Sequence, residues 1–161
     1  MGNSVNLRSV DPDSVSNLPG KGILKRCRVC SVHDGDTITI IYMIGRNVPF
    51  KTNLRLEHID APEITSKNQL EKEAGCAVSN WLNFRLSRQK YWWVMIKGWD
   101  KYGGRIIGTL YSRPKLTSTS INAEILDKGF AIEYSGGKKK MWSKKALEEI
   151  VISTQYPHFY E

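Results

Sequence analysis

Residues 23–59 read ILKRCRVCSVHDGDTITIIYMIGRNVPFKTNLRLEHI, three runs rich in apolar and β-branched residues separated by short polar turns. The runs are Ile23 to Val32, Thr37 to Ile44 and Phe50 to Ile59. Asp34-Gly35-Asp36 divides the first pair, and Gly45-Arg46-Asn47 the second. Alternating, β-branched runs bounded by turn residues read as strands. Connections this short join antiparallel neighbours, so an antiparallel meander is predicted.

Working outward, Ala61-Pro62 breaks the third run. Ser66-Lys67-Asn68-Gln69 then has the spacing of a capping box, and Leu70, Ala74, Ala77, Val78, Trp81 and Leu82 recur at helical intervals. A helix is predicted from about Lys67 to Ser87. Tyr91 to Trp99 reads as a strand buried on both faces, and Arg105 to Tyr111 as its partner after the Tyr102-Gly103-Gly104 turn. Ser118-Thr119-Ser120 supplies caps for a second helix ending at Lys128, with Gly129 as its stop. A third helix is expected from about Ser143 to Ile152. Residues 1–20 are rich in Ser, Asn, Asp and Pro without periodicity and read as a flexible leader. The organisation expected is a leader over 1–20, one domain over 21–153 and a tail over 154–161. Five strands with a helix between the third and fourth give an α+β fold, a five-stranded Greek-key β-barrel of the OB type with three helices.

At 161 residues and 40% apolar content the chain has enough bulk for one packed domain. Its net charge is +8, and because residues 1–20 contribute −1 the folded part carries +9. A basic domain attracts polyanions, nucleic acid first among them. Three cysteines are too few and too irregular for a disulfide framework, which fits a reducing compartment, cytoplasmic or another. Cys27 and Cys30 form a C-x-x-C without a second ligand pair at zinc-site spacing, so packing as small apolar residues is the expected role. No apolar stretch reaches the ~18 residues of a membrane span, and the polar N-terminus does not read as a secretory signal. Met1-Gly2 opens like a myristoylation signal, but Asn6 stands where Ser or Thr is needed.

The chemistry lies in three segments. Asp34-Gly35-Asp36-Thr37 sits at a strand-to-strand turn, where Gly35 permits tight geometry and a carboxylate can face a cleft. An EF-hand is excluded, since Gly45 stands at its twelfth position in place of Glu. Taken alone, an Asp-Gly pair reads first as an ordinary hairpin turn. Asp60-Ala61-Pro62-Glu63 closes the third run, with Pro62 keeping Ala61 extended. Asp60 is a second candidate ligand for a hard cation, and Glu63 can hold an attacking water. Arg55 and Arg105 are candidate phosphate clamps. Strict alternation puts Arg55 and Asp60 on opposite strand faces, so a shared site requires a bulge or turn before Asp60. Lys138, Lys139, Lys140, Lys144 and Lys145 make a basic run, read either as a solvated face or as a track for a nucleic-acid backbone beside Tyr102 and Tyr134. His33 is given a supporting place near the site, while His58 and His158 are read as structural or surface residues.

Together the Asp-Gly-Asp-Thr turn, the Arg-Leu-x-x-Ile-Asp-x-Pro-Glu strand exit and the Asp-Lys-Tyr-Gly-x-Arg turn resemble the thermonuclease family, the SNase-like or micrococcal-nuclease-like proteins. The resemblance covers roughly Gly22 to Ile152. It implies an OB-fold nuclease, an endonuclease that hydrolyses DNA and RNA with Ca²⁺ and leaves 3′-phosphate ends. It implies Asp36, Asp60 and the Ala61 carbonyl as metal ligands, and Glu63 as general base. Arg55 and Arg105 are implied to bind the scissile phosphate, and Tyr102 and Tyr134 to line the nucleotide pocket. Departures are Ala61 where well-known members carry Thr, a longer hairpin between Asp36 and Arg55, the extra Gly104, and a shorter part after Tyr134, which bears on the nucleotide pocket. The alternative is a catalytically inactive OB module that binds nucleic acid or protein, and a third class is a zinc adaptor built on Cys27 and Cys30. A monomer is the favoured state, and no membrane partner is expected.

Overall fold

The structure is a computed structural model that describes residues 7–155. Residues 1–6 of the expected leader and 156–161 of the expected tail, His158 among them, lie outside the described residues. The strands are β1 (Leu24–Asp34), β2 (Thr37–Met43), β3 (Pro49–Leu56), β4 (Ile59–Asp60), β5 (Trp92–Trp99), β6 (Arg105–Tyr111) and β7 (Ile132–Glu133). The helices are α1 (Gln69–Ser87), α2 (Ile121–Asp127) and α3 (Lys144–Thr154).

Five strands close into a barrel in the order β1-β2-β3-β6-β5, while β4 and β7 form a separate two-stranded ribbon. All barrel pairs are antiparallel except β3 with β6. The predicted five-stranded barrel with three helices is therefore the architecture observed. β1 closes it by pairing with β5 through Leu24–Cys27 and with β2 through Cys27–Asp34. Its ladder with β2 shifts register twice, between Val29 and Ser31 and between Val32 and Asp34. Such bulges bend a strand, which is how β1 runs past Val32 to Asp34 while curving around the barrel.

Inward positions of the strands fill the barrel: Ile38, Ile40 and Tyr42, Leu54 and Leu56, Val94 and Ile96, Ile106 and Leu110 are all buried. Ala74, Val78, Trp81 and Leu82 of α1 extend this core, joined by Leu147 and Ile150 of α3. Leu18, in the stretch read as leader, is buried with them, and the Tyr42 hydroxyl donates to the Pro19 carbonyl at 2.9 Å.

Three local expectations are corrected. The cap of α1 is Asn68, whose side chain accepts from the Leu70 and Glu71 amides, so the helix starts at Gln69 and Ser66 is no capping-box residue. The Ser66 hydroxyl instead donates to Glu71 Oε2 at 2.7 Å. β5 is not buried on both faces: Trp92, Val94 and Ile96 point inward, while Trp93 and Met95 are half-buried and Trp99 is exposed. Among the described residues the main helix–strand packing is that of α1 on β1 and α2 on β6, not on β5. The third predicted strand also stops early, at Leu56. Glu57 and His58 make a turn with His58 in the left-handed region, φ 63°, before the chain resumes as β4.

Candidate active site

That turn meets the demand placed on Arg55 and Asp60. Two residues of turn, one of them left-handed, break the strict alternation of β3 and bring Asp60 round to the Arg55 side. The Arg55 guanidinium lies 3.0 Å from Asp36 Oδ2 and 3.4 Å from Asp60 Oδ1. Asp36 and Asp60 are both buried. Two carboxylates thus share one planar cation, in a place where an unpaired charge would be costly.

The Asp36 carboxylate is otherwise well held. Its Oδ1 accepts from the Thr37 hydroxyl at 3.0 Å and its Oδ2 from the Ala61 amide at 3.1 Å. Burial nevertheless pushes its pKa up to about 7, against the pull of Arg55 and with the neighbouring Asp34 adding to the rise. The Asp36 carbonyl accepts from the Leu56 amide at 2.8 Å, which staples the turn to the end of β3. Gly35 is needed here for space rather than for a left-handed φ. A Cβ on it would stand 2.6 Å from the Ala61 Cβ and 2.7 Å from Val78 Cγ1, so turn, β4 exit and α1 meet at this point.

Glu63 is braced by α1. Its amide donates to Glu71 Oε1 at 3.4 Å. A Cβ on Gly75 would stand 2.7 Å from the Pro62 carbonyl oxygen and 2.9 Å from the Glu63 carbonyl carbon, so the helix backbone packs directly on the 62–64 segment. The Glu63 side chain is 44% exposed and carries an ion pair with Lys139, whose Nζ also lies 2.8 Å from Asp60 Oδ1. Burial works to lower the Lys139 pKa, but the hydrogen bonds and charges of Asp60 and Glu63 outweigh it and hold the ammonium above its usual range. Lys139 arrives because β7 pairs with β4, Asp60 opposite Ile132, and the Tyr134 amide donates to the His58 carbonyl at 3.0 Å.

Asp36, Arg55, Asp60, Ala61 and, through Lys139, Glu63 are therefore brought together. Arg105 and Tyr102 stand apart from that cluster. Arg105 pairs in register with Asn53 and Arg55 with Ile107, so Arg105 lies two positions, roughly 7 Å, along the same outer face from the level of Arg55. Its guanidinium is held by Asp100, Nε to Oδ2 at 2.8 Å. Burial opposes ionisation of Asp100, but the Arg105 bonds win and depress its pKa. Gly103 and Gly104 are both left-handed, φ 70° and 78°, which is how the hairpin absorbs its extra residue. Tyr102 projects from this hairpin 80% exposed. The Tyr134 hydroxyl donates to the Gly137 carbonyl at 2.9 Å. A groove of about 350 Å³ beside the β4–β7 ribbon is lined by His58, Glu133, Tyr134, Gly136, Lys138 and Lys140 among others, and Asp36, Asp60 and Glu63 do not line it.

Sequence reasoning missed Gly75, Glu71 and the separate role of Lys139. Gly75 carried a signal, a glycine inside an otherwise strong helical pattern. Lys139 was lost among its lysine neighbours. Lys144 and Lys145 instead face Glu148 and Glu149 one turn on, at 3.6 and 3.8 Å. His33 bonds Thr39, Nε2 to Oγ1 2.6 Å, and Thr39 donates to Asn53, a chain along the outer barrel face. Cys27 is buried, with its thiol pushed up to about 12 by burial and by Cys30, whereas Cys30 and Cys76 are exposed. Cys30 sits at the register shift between Val29 and Ser31 and is exposed where Cys27 is buried. Among the described residues no group of three or more His, Cys, Asp or Glu side chains is arranged to hold a metal.

A hard cation nonetheless suits the donors present. Asp36 and Asp60 offer carboxylate oxygens at one point, and the cations now meeting them, Arg55 and Lys139, mark a concentration of negative charge. A third donor would have to be a backbone carbonyl such as that of Ala61, or water. No curated protein matches the chain. The family model described as staphylococcal nuclease homologue matches residues 53–155, which include Arg55, Asp60, Ala61, Glu63, Tyr102, Arg105 and Tyr134, with Asp36 ahead of the matched stretch. The chain belongs to the staphylococcal nuclease homologue family.

Proposed function

We propose that this protein is a Ca²⁺-dependent, sugar-nonspecific nuclease that hydrolyses phosphodiester bonds of DNA and RNA and leaves 3′-phosphate ends. Family membership supports a nuclease-like enzyme. The observation that carries the finer reading is the pair of buried carboxylates, Asp36 and Asp60, sharing the Arg55 guanidinium on a surface that also presents Glu63. Asp36, Asp60 and the Ala61 carbonyl would hold Ca²⁺, which when bound supplies Lewis-acid polarisation of the phosphoryl oxygen. Glu63, the partly exposed carboxylate, takes the proton of the attacking water. Arg55 donates to a non-bridging phosphate oxygen, and Arg105 approaches from the neighbouring strand once its fork turns from Asp100. Such donors are worth most where charge develops in the transition state. Lys138, Lys140 and Tyr134 border a groove that suits a nucleic-acid backbone. Three free cysteines suit a reducing compartment.

The second reading, an inactive OB module that binds nucleic acid or protein, is favoured by one observation: both carboxylates already have cationic partners within the chain. Cleavage of end-labelled DNA and RNA with Ca²⁺ and with excess chelator separates the two. The nuclease reading expects cutting with Ca²⁺, none with chelator, and 3′-phosphate termini. Tight binding without cutting in Ca²⁺ leaves the binding module.

A further inference from the structure

Lys139 belongs to none of the three motifs, yet its ammonium meets two of their carboxylates. Its Nζ lies 2.8 Å from Asp60 Oδ1 and touches Glu63 Oε1. The side chain is 49% exposed where that of Asp60 is 4% exposed, so the ammonium enters from solvent and caps a buried anion. The segment that delivers it begins with Gly136 and Gly137, both left-handed at φ 95° and 85°, and the Tyr134 hydroxyl pins the second of them. A turn built on two glycines and one exposed hydrogen bond is a weakly held support.

An ammonium and a divalent cation seek the same carboxylate lone pairs, and two cations repel across so short a gap. We infer that Lys139 is a tethered competitor for the cation position: a cation held by Asp36 and Asp60 displaces the ammonium from Asp60, and Glu63 becomes free to meet water only once Lys139 has left. The inference rests on the proposed metal-dependent reading. Lys139 then acts as a positioning residue, because its departure, coupled to metal entry, releases the base.

The test is calorimetric titration of Ca²⁺ into the full chain without nucleic acid. It compares wild type with Lys139→Gln, Lys139→Arg and, as control, Lys138→Gln. Lys139→Gln is expected to bind Ca²⁺ about tenfold more tightly, equivalent to about 1.4 kcal/mol. Lys139→Arg should bind no more tightly than wild type, and Lys138→Gln should match wild type. Hydrogen exchange supplies a readout independent of affinity. Ca²⁺ should speed exchange over residues 135–142 in wild type, whereas Lys139→Gln should exchange fast there without Ca²⁺. Equal affinity in wild type and Lys139→Gln, at a site that Asp36→Asn abolishes, overturns the inference and leaves the metal site standing. Ca²⁺ binding by no variant, or binding indifferent to Asp36→Asn, overturns both. If Lys139→Gln fails to fold, Lys139→Arg decides: tighter binding than wild type, or exchange over 135–142 indifferent to Ca²⁺, refutes the competition.

Discussion

Asp36 carries the strongest conflict in the structure. It is hydrogen-bonded by Thr37 and Ala61 and paired with Arg55, yet burial still raises its pKa to about 7. The folded value therefore lies above that of the unfolded chain, about 3.9, and between them the folded state binds the extra proton. Stability from this group is complete below about pH 4 and is lost as pH rises through about 7. Thermal melts in chelator should show Asp36→Asn gaining on wild type as pH rises from 4.5 to 8. A gap that shrinks instead would mean that Arg55 stabilises the carboxylate more than burial harms it. The arginines make a second test. Arg105→Lys and Arg55→Lys should each lower kcat/KM by ~100-fold or more, since an ammonium does not copy the planar fork. The Arg55 side chain is 14% exposed and pairs with two carboxylates, while that of Arg105 is 37% exposed. Only Arg55→Lys should also lower the melting temperature, and equal stability losses would remove that distinction.

α1 serves the site more than its own propensity. Its buried face was readable from Ala74, Val78, Trp81 and Leu82. Its close contact with the Pro62–Ile64 segment depends on Gly75, where a Cβ would stand 2.7 Å from a carbonyl oxygen. In an ordinary helix interior Gly→Ala stabilises by roughly 1 kcal/mol. Gly75→Ala should do the reverse, costing roughly 1–3 kcal/mol through overpacking and lowering kcat by shifting Glu63. Urea unfolding with parallel kinetics checks both. A stabilised, fully active variant would show that the segment yields and that α1 does not set the place of Glu63. The β4–β7 ribbon does comparable work from the other side, since only its pairing carries the Lys139 segment across to Asp60.

Over the complete fold the charge of +8 is not spread evenly in effect. Lys144 and Lys145 are partnered by Glu148 and Glu149, Lys139 by Asp60 and Glu63, while Lys138 and Lys140 border the groove beside Tyr134. Counterion release makes log Kd for duplex DNA linear in log salt, with a slope near 0.9 per phosphate contact. Lys138→Gln and Lys140→Gln should each reduce that slope by about one. The double change at Lys144 and Lys145 should reduce it by less than one. Titrations at three or more salt concentrations read this directly. A larger effect from the α3 pair would move the nucleic-acid track onto that helix.

What could be read along the chain was what local patterning controls. Turn residues between β-branched runs marked the meander, helical spacing marked α1, and Ser120 and Gly129 bounded α2 as expected. The three motifs that carry the candidate chemistry are contiguous, so their residue types and spacing were legible without coordinates. The conflict between Arg55 and Asp60 was legible as a demand for a turn, but not its form, because a left-handed His58 follows from how β3 ends against β6. Burial of Asp36, and so its raised pKa, exists only when turn, α1 and the β4 exit close around it. Lys139 reaches Glu63 across 76 residues of chain, a contact made by the β4–β7 pairing and by no local pattern. Local spacing thus specified which groups are present, and desolvation and long-range pairing specified their charge states and their partners.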